Sequence, residues 1–449
     1  MPLLERFRRL RRRPPPSGKP RETRGRSANR RSFWACVVLG AVGLFGLYFW
    51  LTSAKILKDP IILNYSASDE IFASAFGPIV GAEFTGGNSS RLLVNGDEIF
   101  PAMLEAISAA QKSITFETYI WAPGHISEKF VSALRERARA GVKVHVLVDG
   151  MGTLKFDDHD RERLREDGVQ ILKYGREHWY EVKPNINHRT HRKLLIIDGK
   201  IGFTGGMCID DSWLGNGDDP EHWRETGVRV EGPVVRQMQA VFAANWLQTT
   251  SHLLLGEEYF PKIEAEGKNL ALCFKSGPNE GPEVARVAYL FAIAAARKSI
   301  DISHAYFVPD DLAIEMLIAA RLRGVQVRVI VPAINDSAFG RAASRSRWQR
   351  LLEAGVELHQ FQPAMYHCKT MVIDDVFTTI GSANFDNRSF SINDEVTLNV
   401  LDRGLAAQHR KMFEHDLERS RRYTLAEHEG RPLHTKALDK FCGLFRSQL

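Results

Sequence analysis

Residues 191–198 read His-Arg-Lys-Leu-Leu-Ile-Ile-Asp, and residues 367–374 read His-Cys-Lys-Thr-Met-Val-Ile-Asp. Each places a lysine two residues after a histidine and an aspartate five residues further. Each then reaches glycine after six more residues, at Gly205-Gly206 and at Gly381-Ser382-Ala383-Asn384. With each residue type at about one in twenty, this spacing should arise by chance on the order of 0.05 times in a chain of this length. Two copies mean duplication. In a strand, residues i and i+2 share a face, so His191 and Lys193 point together, as do His367 and Lys369. Ile196-Ile197 and Val372-Ile373 complete buried strands that turn at Asp198-Gly199 and Asp374-Asp375.

The duplication extends outward from the motif. Gln111-Lys112-Ser113-Ile114 returns as Arg297-Lys298-Ser299-Ile300, Ala140-Gly141-Val142 as Arg323-Gly324-Val325, and Gly168-Val169 as Gly355-Val356. The offsets are 186, 183 and 187 residues. Each repeat alternates helices with short apolar strands, which predicts an α/β fold of two duplicated sandwich halves packed about a pseudo-twofold axis. We place the first half at 86–256 and the second at 257–425, after a Ser-, Ala- and Gly-rich linker at 52–85. The stretch 426–449 is read as a C-terminal tail whose Phe441, Leu444 and Phe445 suit a fraying surface helix or a membrane contact.

Bringing the halves together would converge two imidazoles and two ammoniums on one point. That set suits a phosphodiester: the lysines neutralise nonbridging oxygens, one histidine attacks phosphorus, and the other protonates the leaving oxygen. Glycines such as Gly206 let backbone N–H groups approach an anion. No metal or cofactor is required, and no acidic cluster or paired-cysteine motif suggests one. The five cysteines (Cys36, Cys208, Cys273, Cys368 and Cys442) are too few and scattered for a disulfide framework.

These residues resemble the phospholipase D superfamily, whose signature is the doubled His-x-Lys-x4-Asp motif. The context is similar to the bacterial cardiolipin synthases. It includes Glu117-Thr118-Tyr119-Ile120, Trp223-Arg224-Glu225-Thr226, Tyr306-Phe307-Val308-Pro309-Asp310 and the run from Gly381 to Glu395. The resemblance covers about residues 90–425. It implies a phosphatidyl transfer through a phosphohistidine, with His191 as nucleophile and His367 as acid and then base; the near-symmetry of the halves makes that order reversible. It further implies that Lys193 and Lys369 hold phosphate oxygens with Ser382 and Asn384. Glu225 and Glu395 would orient the imidazoles, and Asp198 and Asp374 would brace the strand turns.

Some positions depart from that pattern. Cys208 stands where Asn384 stands in the second copy, so the first half lacks an amide donor. Glu225 replaces a more usual aspartate. Cys368 should point away from the site, between two residues that point in, which argues against a Cys208–Cys368 disulfide. Alkylation of Cys208 is expected to slow the enzyme. Gly168 to His191 spans eleven residues more than Gly355 to His367, and this insertion, with His178, Trp179, Tyr180 and Lys183, is read as a lip or a structural loop.

Charge and hydropathy decide the setting. The chain has 449 residues, with 60 Lys+Arg against 54 Asp+Glu. Twelve of those basic residues and two of the acidic ones fall in residues 1–32, so the remaining 417 carry 48 against 52. The basicity belongs to a disordered tail, and the acidic body gives no nucleic-acid footprint. Phe33 to Leu51 is a run of nineteen residues without a charge, flanked by Trp34, Tyr48 and Trp50. As a helix it extends roughly 28 Å, enough to span a bilayer. A cleaved export signal is the rival reading, with Thr52-Ser53-Ala54 as its cleavage site. The charge asymmetry predicts a single-pass anchor in a bacterial inner membrane, with the N-terminus cytoplasmic and the large domain on the outer face. The expectation is therefore a membrane-anchored phosphatidyltransferase acting on phosphatidylglycerol. A phospholipase D hydrolase using water carries the same motif, as does a nucleic-acid phosphodiesterase. An inactive scaffold conflicts with the intact motifs.

Overall fold

Alternate residues of one short strand serve two different cores. Leu195 and Ile197 pack with Ile99, Phe100 and Phe130, whereas Leu194 and Ile196 pack with Val230, Phe242 and Trp246. Helices therefore cover both faces of the sheet, as the period-2 alternation of buried strands requires. In this computed structural model the described residues are 24–52, 57–175, 187–280 and 283–448, with the side chains of 24–32, 47 and 49–52 left outside the description.

Among the described residues, fifteen strands form the sheet. Seven belong to the first part of the chain: β1 (Thr85–Val94), β2 (Ser113–Thr118), β3 (Lys143–Asp149), β4 (Gln170–Tyr174), β5 (Leu194–Ile197), β6 (Ile201–Gly205) and β7 (Thr226–Glu231). Eight follow: β8 (Asn269–Ser276), β9 (Ser299–His304), β10 (Gln326–Ile334), β11 (Glu357–Met365), β12 (Lys369–Ile373), β13 (Phe377–Gly381), β14 (Glu395–Leu401) and β15 (Ser420–Tyr423). From the centre outward the order is β1-β7-β6-β5-β2-β3-β4 on one side and β8-β14-β13-β12-β9-β10-β11-β15 on the other. The two sequences of neighbours match strand for strand until β15 adds to the outer edge. At the seam, β1 meets β8 antiparallel through a bulge. There the Asn88 amide donates to Thr85 O and Asn269 O while its oxygen accepts from Val234 N–H. One apolar cluster draws on both sides of this seam, joining Val228 and Phe242 to Val396 and Leu398.

Residues 55–449 form one compact unit. Within the stretch read as a linker, Glu70–Val80 form a helix. Its Phe72 and Phe76 are fully buried against Phe291 and Phe377, with ring centroids 5.2–5.8 Å apart. The stretch read as a tail is also built into the unit, through helices Leu425–Gly430 and Leu433–Gly443. Residues 1–54 form a second unit whose described part is the helix Arg24–Thr52, which covers the uncharged run. Among the described residues, no helix is long and apolar enough to cross a membrane. The tail before residue 24 and the insertion residues His178, Trp179, Tyr180 and Lys183 lie outside the described residues.

Candidate active site

The two motif histidines sit at the entries to β5 and β12, and each is tied to the opposite side of the molecule. His191 N–H donates to Asp394 O at 2.9 Å, and His367 N–H donates to Arg224 O at 2.8 Å. The return bonds run from Asp394 N–H to Arg189 O and from Arg224 N–H to Met365 O, both 2.9 Å. Asp394 and Arg224 each precede a glutamate, so these backbone bridges carry Glu395 to His191 and Glu225 to His367. Nδ1 of His191 lies 3.0 Å from both Glu395 oxygens, and Nδ1 of His367 lies 2.6 Å from Glu225 Oε2. Each half therefore supplies a carboxylate hydrogen-bonded to Nδ1 of the other half's imidazole.

The lysines follow the same pattern. Lys193 Nζ donates to His191 O at 2.7 Å, and Lys369 Nζ donates to His367 O at 2.6 Å. Lys369 Nζ also lies 3.1 Å from the His367 ring nitrogens, and Lys193 Nζ stands 5.1 Å from the Tyr119 ring centre. The four groups share one electrostatic site, because His367 responds to Lys369, Lys193 and His191, and His191 responds to Lys193 and Lys369. Burial pushes His191 down to about 4 against the pull of Glu395, and burial with the lysine charges holds His367 well below the usual imidazole range. Both rings are therefore neutral at pH 7. Burial lowers Lys193 and brings Lys369 down to about 8, opposed in the latter by Glu225. The carboxylates differ. Burial raises Glu225 despite Lys369, whereas for Glu395 the same burial is outweighed by His191, Lys193 and Ser382, and its carboxyl is held low.

The aspartates of the motif lie at the far ends of their strands, five residues beyond the lysines, or roughly 16 Å along an extended chain. Asp198 accepts from the backbone N–H groups of Gln111, Lys112 and Ser113, and Asp374 accepts from those of Arg297, Lys298 and Ser299. These six donors are the repeated Gln/Arg-Lys-Ser segments themselves. Both aspartates sit at φ 53° in the left-handed region, where a short polar side chain is tolerated.

The residues expected around the phosphate divide. Ser382 Oγ donates to Glu395 Oε2 at 2.5 Å and accepts from Val396 N–H at 3.0 Å, so its hydroxyl positions a carboxylate. Gly206 matters for what it lacks, since a Cβ there would lie 2.4 Å from Glu225 Oε2. Asn384 is buried and its Oδ1 has no hydrogen-bond partner among the described residues. Cys208 is only 1% exposed and lies within electrostatic reach of both lysines. Alkylating it therefore requires the site to open first. Cys368 packs instead among Ile330, Phe361, Tyr366 and Phe413, and all five thiols are free.

Sequence spacing did not place the aromatic walls. Tyr119 meets the His191 ring edge-on at 5.0 Å, and Trp213 and Trp223 each stand 5.1 Å from the His367 ring. Nor did it find the buried pair Arg224–Asp416, with Oδ2 2.8 Å from the guanidinium and also bonded to the Tyr366 hydroxyl. Tyr119, Trp223 and Arg224 lie in the context stretches that marked the resemblance, so position in those stretches was their one signal. Among the described residues no three His, Cys, Asp or Glu side chains converge to hold a metal ion.

Comparison with known proteins agrees with this arrangement. A family described as "Cardiolipin synthase, PLD-like domain" matches residues 103–246 and 289–417. The chain is 31% identical to cardiolipin synthase 1 of Bacillus cereus over 364 residues, which is 79% of this chain and 72% of that one. It is 35% identical to cardiolipin synthase A of Pseudomonas putida over 342 residues, 75% of this chain and 70% of that one. In fold it resembles the phosphatidylserine synthase of Haemophilus influenzae, with a TM-score of 0.62 at 14% identity over 84% of this chain and 100% of that one. With the doubled motif assembled into one site and a family match over more than half its length, the chain belongs to the cardiolipin synthase, PLD-like family.

Proposed function

We propose that the protein transfers a phosphatidyl group from one phosphatidylglycerol to a hydroxyl of a second, giving cardiolipin and glycerol through a phosphohistidine. The observation that carries this reading is the crossed pairing of two imidazoles with two buried carboxylates, beside two buried ammoniums. The names of the relatives support the substrate class. Nε2 of His191 attacks phosphorus, the P–O bond to glycerol breaks, and His367 gives its proton to the leaving oxygen. Glu395, the carboxylate held low, accepts the His191 Nδ1–H and keeps the Nε2 lone pair available, which favours His191 as nucleophile. His367 is neutral without substrate. An anionic phosphodiester would offset the charges of Lys193 and Lys369 and raise its proton affinity, so substrate binding arms the acid. In the second step His367 takes the proton of the acceptor hydroxyl. That oxygen bonds phosphorus as the P–N bond to His191 breaks. Lys193, Lys369 and the Asn384 amide hold the nonbridging oxygens, while Asp198 and Asp374 brace strands.

The mirrored strand order supports two duplicated halves about a pseudo-twofold axis. We assign Phe33–Leu51, within the helix Arg24–Thr52, as a single-pass anchor in a bacterial inner membrane, with the basic tail cytoplasmic and the body outside. The acidic body supports a lipid substrate over a nucleic acid.

The test is a product assay on solubilised full chain with labelled phosphatidylglycerol, beside His191→Ala and His367→Ala. Cardiolipin and glycerol in equal amounts, lost in both variants, is the expected result. Phosphatidic acid as the sole product would reassign the protein as a hydrolase on the same site, and no turnover would remove the lipid reading.

A further inference from the structure

The C-terminal helix Leu433–Gly443 is amphipathic in an unusual place. Its inner face is fixed: Cys442 is buried against Ala342 and Ala343, and a Cβ at Gly443 would stand 2.6 Å from Ser346 Oγ, so the backbones lie close. Buried Asp439 pairs with Arg345 and Arg431. The inner face of the helix is therefore packed onto the body. Its outer face carries Leu438 (53% exposed), Phe441 (56%) and, just beyond, Leu444 (73%) and Phe445 (45%). Phe445 meets Phe441 edge-on at 5.4 Å and lies tilted against exposed Phe339 at 6.0 Å. Large side chains at i, i+3 and i+7 facing solvent reverse the ordinary arrangement of a surface helix.

Two further observations say what covers this face. Its flank is basic: Lys440 and Arg341 are exposed and Lys436 is half-buried. It also borders the candidate active site. The turn Arg446–Gln448 receives a bond from Arg388 to Gln448 O, and Asn187 donates to Gln448 Oε1. Arg388 belongs to the helix Asn387–Ser391, whose Ser389 Oγ accepts from the Asn384 N–H. On the other side Gly340 lies against Tyr306, whose hydroxyl donates to Asp336.

We infer that this face is a docking surface for an anionic lipid bilayer, seating the candidate active site beside the membrane that holds the substrate. The inference rests on the lipid reading of the active site. A second copy of the chain fits the face less well, because a self-complementary contact would oppose Lys436, Lys440 and Arg341 to themselves.

The experiment uses the full chain with Cys36→Ser, spin-labelled at Leu444→Cys or, as control, at exposed Leu322→Cys, and reconstituted one chain per phosphatidylglycerol-containing nanodisc. The label at 444 should gain contact with oxygen and lose contact with a water-soluble nickel complex severalfold relative to 322. Equal nickel contact at both positions would overturn the proposal, and so would shielding of 444 only when two chains share a disc. A variant with Leu438→Glu, Phe441→Glu and Leu444→Glu should need about tenfold more vesicle-borne phosphatidylglycerol for half-maximal rate. Its turnover of dispersed short-chain phosphatidylglycerol should stay within about twofold of the parent, as expected if only membrane seating is lost. Loss of turnover on both substrates would place the face in the fold instead. Label depth is read without turnover, so failure of the lipid reading leaves a distinct signature.

Discussion

A methyl group at Gly206 would meet Glu225 Oε2 at 2.4 Å, against an oxygen already bonded to His367. Gly206→Ala should therefore displace the carboxylate while leaving the fold intact. We expect kcat to fall about a hundredfold with an unchanged melting temperature, measured by product assay beside a thermal scan. Lys369 gives a pH signature. Brought down to about 8, it loses its charge as pH rises through that value, and in the proposed mechanism the phosphate would lose a counter-charge. The kcat/KM profile should fall above about pH 8, and Lys369→Arg, which stays charged, should move that limb upward even if the rate drops. The histidine-lysine pairs were legible in the sequence because spacing, repetition and the two-residue period coincide. The Glu–His pairs were legible only through resemblance, since 204 and 142 residues separate the partners and no local pattern links them. Ser382 and Gly206, expected beside the phosphate, also lie against the carboxylates: Ser382 Oγ donates to Glu395, and a Cβ at Gly206 would meet Glu225.

The helix Glu70–Val80 shows where composition misleads. Its neighbourhood is rich in Ser, Ala and Gly, and only Phe72 and Phe76, one turn apart, announce a buried face. Both insert between Phe291 and Phe377. Phe76→Ala should cost about 3–5 kcal/mol, read as a lower denaturation midpoint with an unchanged m-value. Truncation before residue 85 should cost more. The strands gave the opposite experience. β5 and β12 are largely apolar runs closed by turn residues, β2 and β9 alternate apolar with polar residues, and each is matched by a second copy, so their existence was predictable, whereas β15, four residues with three polar, carried no such pattern.

Across the whole molecule, buried neutral histidines set the response to acid. Burial pushes His145 down to about 4 and His409 to about 3, and Nε2 of His409 pairs with Thr370 Oγ1. An unfolded chain titrates these rings near 6.5, so below that pH it binds protons that the fold excludes. Stability should be complete above about pH 6.5 and decline toward pH 4, by about 1.4 kcal/mol per pH unit for each such ring. His409→Gln should flatten the fall of melting temperature between pH 6.5 and 4.5. The crossed bridges at the centre have a different consequence. A polypeptide holding only residues 86–256 would own a histidine without its carboxylate and a carboxylate without its histidine, and would have to find a mate before it could work. Joining both into one chain turns a meeting between molecules into a property of each molecule, so specific activity should hold steady on dilution where a two-piece version would fade.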